Sequence, residues 1–116
     1  MNRTVIMTSE FDKQWKSMGL NDNDLRRLQH EILENPKIGE VMQGTGRLRK
    51  MRFAFEGRGK SGSARVTYVD FILYNTVYLI YTYPKNEKDN LTKEERNNIK
   101  KMIDAIELAY RQEGSR

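Results

Sequence analysis

The chain has 116 residues, enough for one ordinary domain with a core but too few for a cofactor domain beside a substrate domain. It has no cysteine, which excludes disulfides, thiol catalysis and thiolate zinc, and a single histidine, His30, which excludes an imidazole metal cluster. The net charge of +5 is concentrated: residues 44–65 hold seven basic side chains against one acid, whereas the other 94 hold 14 against 15, so the whole excess is one patch. Such a patch attracts polyanions, nucleic acid first.

Thr4-Val5-Ile6-Met7 reads as a short strand. Ser9, with Asp12 three residues on, resembles a capping pair that opens a helix carrying Phe11, Trp15 and Met18 on one face, and Gly19 ends it. Asn21 and Asp24 cap a second helix with the stripe Leu25, Leu28, Ile32, and Asn35-Pro36 closes it because the residue before proline is pushed out of the α region. From Leu48 the period becomes two, with Arg49, Met51, Phe53 and Phe55 on one face and Lys50, Arg52 and Ala54 on the other, a half-buried strand with a basic outer face.

After a Gly/Ser/basic loop over 56–63, the segments 64–72 and 76–83 are rich in β-branched and aromatic residues about a turn at Tyr74-Asn75, so three antiparallel strands are expected in succession. Pro84 cannot donate to a ladder and stops the last one. Thr92 and Glu95 form a capping box, and Ile99, Met102, Ile103, Ile106 and Tyr110 make the apolar face of a final helix. The predicted class is α+β in the order βααβββα: one domain over residues 1–112, its antiparallel sheet packed by two N-terminal helices and one C-terminal helix, with a short polar tail at 113–116.

No window approaches 18 consecutive apolar residues and the N-terminus lacks a secretory signal, so the expected location is cytoplasmic, with no membrane partner. The segment AFEGRGKS is one residue short of a phosphate-binding loop, since Ala54 stands where glycine is required, and residues 63–68 beyond it are strand in character where that motif opens a helix. The basic loop instead suggests Arg58 and Lys60 reaching phosphates while Lys50, Arg52 and Arg65 supply charge from the strands beneath. One or two of Tyr68, Tyr78, Tyr81 and Tyr83 are candidates to stack on bases, the others being core. The polar run 85–89 leaves the last strand close enough to bring Lys85 and Glu87 to the same groove.

The stretch ENPKIGEVMQGTGRLRKMRFAFEGRGKSGSARVTYVDF, followed by YTYPKNEKDNLTKEER, resembles the RelE superfamily of bacterial toxins on its HigB-like branch. The most specific parts are NPKIGEVMQGTGRLRK, GRGKSGSAR and YPKNEKDNLT, in family order. The resemblance implies a toxin of a type II toxin–antitoxin system, a metal-independent and cofactor-free endoribonuclease that cleaves mRNA in the ribosomal A site, with a cognate antitoxin, the small ribosomal subunit and mRNA as partners.

Carried over by position, the resemblance makes Arg65, Lys60 and Lys85 the catalytic candidates and Arg49, Lys50, Arg52, Arg58 and Tyr83 the RNA- and ribosome-binding ones. Arg65 would stabilise the charge developing on the phosphorane, and Lys60 or Lys85 would serve as base or acid. The chain departs from the RelE pattern at Asn86, where a catalytic arginine is expected, and at Thr92, near an expected tyrosine. Two other classes share the plan or the charge: ParE-type gyrase poisons and non-catalytic RNA-binding regulators.

Overall fold

The computed structural model describes residues 3–55, 62–88 and 90–114. The elements are β1 (Thr4–Met7), α1 (Ser9–Ser17), α2 (Asp22–Glu34), β2 (Glu40–Val41), β3 (Arg49–Ala54), β4 (Ser63–Phe71), β5 (Thr76–Pro84) and α3 (Lys93–Gly114), with a 3-10 turn at Ile72–Tyr74. The class is α+β, as expected. Among the described residues no helix is long and apolar enough to cross a membrane.

The local signals explain most boundaries. Asn21 and Asp24 exchange hydrogen bonds as a capping box, and α2 ends at Asn35 before Pro36. At α1 the cap is Thr8 rather than the expected Ser9: its hydroxyl accepts the Phe11 amide at 3.0 Å, moving the helix start one residue earlier. Gly19 leaves that helix at φ +74°, a region glycine enters without strain. Gly44 and Gly46 take positive φ in the turn between β2 and β3, so these glycines serve chain reversal.

The strands form one sheet in the order β1-β5-β4-β3-β2. The three predicted strands, β3 to β5, are antiparallel. Two features extend that expectation. β1 joins the edge of β5 in parallel, Thr4 facing Thr76 and Met7 facing Leu79, and the two-residue β2 pairs antiparallel with β3 at the other edge. Parallel pairing between segments so far apart in sequence leaves no local trace, and two residues are too few to show a period.

Alternation across the sheet separates two cores. Met51, Phe53, Val66, Tyr68, Val77 and Leu79 join Phe11 and Trp15 of α1 and Leu28 and Ile32 of α2. Val69, Phe71, Ile80 and Tyr83 join Leu91 and Ile99 and Ile103 of α3. With a layer on each face, β4 and β5 are buried over most of their length, which is why they read as nearly continuous apolar runs.

A buried phenol also ties the segment leading into β2 to the sheet. Tyr68 is fully buried; its hydroxyl donates to the Pro36 carbonyl at 2.8 Å and accepts the Gly39 amide at 3.0 Å. A β-carbon on Gly39 would meet the Lys50 carbonyl oxygen and the Tyr68 ring at 3.0 Å, so the backbone approaches this closely only without a side chain. Tyr68→Phe keeps the ring but leaves a buried amide and carbonyl unpaired. The expected loss is about 1–3 kcal/mol, measured from urea unfolding midpoints at equal slope; an unchanged midpoint would show that the hydroxyl does not hold this segment.

Candidate nucleic-acid interface

Register decides which side chains share the open part of the sheet. Arg52 of β3 faces Arg65 of β4, and Arg65 faces Tyr83 of β5; two residues along, Lys50 faces Thr67 and Thr67 faces Tyr81. Directly opposed residues project from the same side, so these six form two rows on one face, the face that α3 covers farther along.

Strict alternation along β5 would not produce this. Val77 and Leu79 belong to the α1/α2 side, and by period two Tyr81 and Tyr83 would join them there. Between Thr67 and Tyr68 the register shifts: Thr67 faces Tyr81 whereas Tyr68 faces Leu79, leaving Ile80 as an extra residue in β5. A bulge of this kind inverts the phase of the residues beyond it, and Tyr81 and Tyr83 come round to the face of Arg52 and Arg65.

Beside the tyrosines, the first turn of α3 adds a carboxylate. Glu95 Oε2 accepts the Tyr81 hydroxyl at 3.0 Å and pairs with Lys88, while Oε1 accepts the Thr92 amide at 2.8 Å. The Lys88 ammonium lies 5.3 Å from the centroids of both the Tyr81 and Tyr83 rings. Burial raises the Glu95 pKa, but the bonds from Lys88, the Thr92 amide and Tyr81 outweigh it and hold the carboxyl at about 2. Burial pushes the Tyr81 phenol up, and the Glu95 carboxylate adds to that. Burial alone would lower the Lys88 ammonium, yet its bond to Glu95 reverses the direction and raises it. At neutral pH the trio therefore consists of a neutral phenol, an ammonium and a carboxylate.

These elements border a groove of about 810 Å3 whose walls include Arg52, Phe55, Tyr81, Tyr83, Lys85 and Lys88, with α1 closing it through Gln14 and Ser17. Lys85 and Glu87 do reach the same groove. Lys50 donates to Asn90 at 3.1 Å, and neither it nor Arg65 is among the residues that line the groove. Arg58 and Lys60 fall outside the described residues.

Two expected contact residues are placed differently. Arg49 is on the opposite face, facing Tyr68, and donates to the Gly39 carbonyl at 2.7 Å; it braces the β2 segment and does not join the cationic rows. Tyr83 shares the row of Arg65, but at 3 % exposure its ring is core and offers no stacking face. The charge of the patch also divides, since Arg47 pairs with Glu107 of α3 and lies over the Phe71 ring. Lys88 and Glu95 were not among the residues expected at the site. Glu95 carried a signal only as the capping partner of Thr92, and that role and the contacts to Tyr81 and Lys88 use the same carboxylate.

The family model described as "RelE toxin of RelE / RelB toxin-antitoxin system" matches residues 3–113. A free-state mutant structure of the E. coli toxin RelE is similar at 18% identity and a TM-score of 0.53, over 77% of this chain and 90% of that one. The toxin in the intact E. coli RelBE toxin-antitoxin complex is similar at 17% identity and a TM-score of 0.51, over 71% of this chain and 95% of that one. At these identities the likeness is one of fold.

The Glu95 network makes a pH-dependent contribution to stability. Its carboxyl lies at about 2 in the folded chain against an ordinary 4.5; a depressed carboxyl stabilises fully above the ordinary value, and the contribution is lost as pH falls through the folded one. Glu95→Gln removes the charge and keeps the shape. The stability gap between wild type and variant, from denaturant titrations, is expected to be constant at pH 5–7 and to shrink from about pH 4.5 towards pH 2; a gap independent of pH would contradict the network.

Proposed function

Because the chain belongs to the RelE toxin family, we propose that it is the toxin of a type II pair, on the HigB-like branch, and an endoribonuclease that cleaves mRNA held in the A site of the small ribosomal subunit. The observation that supports this most is the Arg52–Arg65 pair, directly opposed on β3 and β4, with Arg52 lining the groove. Two opposed guanidiniums can donate to the same phosphate. Phosphate contacts position an RNA without reading its bases, which suits an enzyme whose substrate is presented by the ribosome.

In the reaction, the 2′-oxygen of one nucleotide attacks the adjacent phosphorus. The bond from phosphorus to O5′ breaks as the new bond forms, giving a 2′,3′-cyclic phosphate and a free 5′-hydroxyl. Negative charge grows on the non-bridging oxygens, and in this reading the guanidinium N–H donors of Arg65 and Arg52 stabilise it. The 2′-hydroxyl proton goes to a base and another reaches O5′ from an acid; Lys85 at the groove and Lys60, which lies outside the described residues, are proposed for these roles. Lys88 is held as an ammonium by Glu95, so its contribution is charge and not proton transfer. A cognate antitoxin, such as the one that accompanies RelE in the RelBE complex, would keep this groove from the ribosome.

Arg65→Ala is expected to lower mRNA cleavage by about 10²- to 10³-fold, read by primer extension on a message translated with and without the protein. Arg65→Lys restores part of it, since a point charge cannot reproduce the guanidinium fork. Cleavage by Arg65→Ala at the wild-type rate would overturn the assignment. If wild type gives no cut on a translated message but poisons gyrase, the ParE-type reading replaces this one.

Expression in bacteria is a second test: growth should stop when the protein is made alone and recover when the adjacent small partner is co-expressed. Unimpaired growth at high expression would remove the toxin reading.

A further inference from the structure

The bulge in β5 is the feature on which the composition of the groove turns, and the backbone around it cannot be satisfied by β4. An extra residue in one strand leaves its own polar groups without partners in the ladder, and buried backbone groups need partners. They find them in α1 and its cap. The Thr8 hydroxyl donates to the Ile80 carbonyl at 2.7 Å while accepting the Phe11 amide at 3.0 Å, so one oxygen caps the helix and closes the bulge. The Thr8 amide donates to the Leu79 carbonyl at 3.0 Å. Two residues beyond the bulge, the Thr82 amide donates to Gln14 Oε1 at 2.9 Å. The Thr8 amide bond prolongs the parallel β1–β5 ladder, and the Ile80 carbonyl and Thr82 amide are held by the cap of α1 and by Gln14, which also lines the groove.

We propose that Thr8 and Gln14 are positioning residues for the groove: by holding the β5 bulge they set the strand phase that brings Tyr81 and Tyr83, with Lys88 over their rings, to the face of Arg52 and Arg65. Neither needs to touch the RNA at the reacting phosphate to do this. The distances describe a clamp with two independent jaws, a hydroxyl on the bulged residue and an amide oxygen two residues on. The functional part of the proposal rests on the RNA-cleavage reading; the structural part does not.

The consequence is a separation of effects. The cationic rows of β3 and β4 do not depend on the clamp, so loss of the Thr8 jaw, which does not line the groove, leaves ribosome and RNA binding, and hence KM, in place. The tyrosine–lysine wall does depend on it, so kcat falls. A misplacement on the ångström scale at a reacting centre costs up to about 10²-fold.

The test pairs isosteric deletions with conservative rescues. Thr8→Val removes the hydroxyl and Thr8→Ser keeps it; Gln14→Met removes the acceptor oxygen and Gln14→Glu keeps it. Gln14→Met leaves the helix cap intact, so it carries the test if Thr8→Val does not fold. Expected for both deletions is a fall in kcat of about 10- to 10²-fold, at unchanged KM for Thr8→Val, and for the rescues a kcat near wild type. In parallel, NMR titration of the Glu95 carboxyl reports the wall directly: as Tyr81 leaves, its midpoint rises from about 2 towards 4.5 in the deletions, and stays low in the rescues. Deletions with wild-type kcat and an unmoved Glu95 midpoint overturn the proposal, as do rescues that lose as much as the deletions. If wild type itself cuts no mRNA, the functional reading fails while the Glu95 midpoint still decides whether the clamp positions the wall.

Discussion

Where β4 advances from Thr67 to Tyr68, β5 advances from Tyr81 back to Leu79, and that one-residue mismatch organises the rest of the molecule. Ahead of it, β5 sends Val77 and Leu79 into the core under α1 and α2; beyond it, Tyr81 and Tyr83 turn towards α3. A strand without the insertion would put two tyrosines into the first core and leave the Arg65 row without its third member. The inserted Ile80 gives its carbonyl to the Thr8 hydroxyl, and Thr82, two residues on, gives its amide to Gln14, so the cap of α1 also serves the middle of β5.

The electrostatics obey the same division. Much of the positive charge in the 44–65 segment is structural: Arg47 pairs with Glu107 and covers Phe71, and Arg49 bonds the Gly39 carbonyl. Arg27 of α2 likewise donates to the Ala54 carbonyl at 2.8 Å and lies 4.0 Å over the Phe53 ring, where its aliphatic and planar parts cover apolar surface. A smaller set of cations, Lys50, Arg52 and Arg65, is gathered by register on the other face. A patch defined by counting along the chain therefore overstates the surface available to an anion.

At the groove's other wall, Glu95 ties three segments together: the end of β5 through Tyr81, the turn after it through Lys88, and the start of α3 through Thr92. Each bond is modest alone, but all three converge on one half-buried carboxylate, and hydrogen bonds to a charged acceptor are about twice as strong as neutral ones. A network of this kind loses its geometry as a unit, so the shape of the groove and the start of α3 are coupled.

What the sequence determined by itself was local. The Asn21/Asp24 box and the Asn35-Pro36 stop bound α2 because capping and proline sterics act within four residues, and the basic face of Lys50 and Arg52 was legible because alternation acts within a strand. The three central strands and the apolar stripe of α3 were legible for the same reason. Tertiary structure alone decided the parallel docking of β1 on β5, the Ile80 insertion, the bond of Arg49 to the Gly39 carbonyl and the burial of Tyr83. It also made the Glu95 carboxylate a partner of Tyr81 and Lys88 as well as a cap. Each of these depends on which residue of one segment lies opposite which residue of another, and the register between distant segments is set by packing on both faces of the sheet, a quantity that no period along the chain encodes.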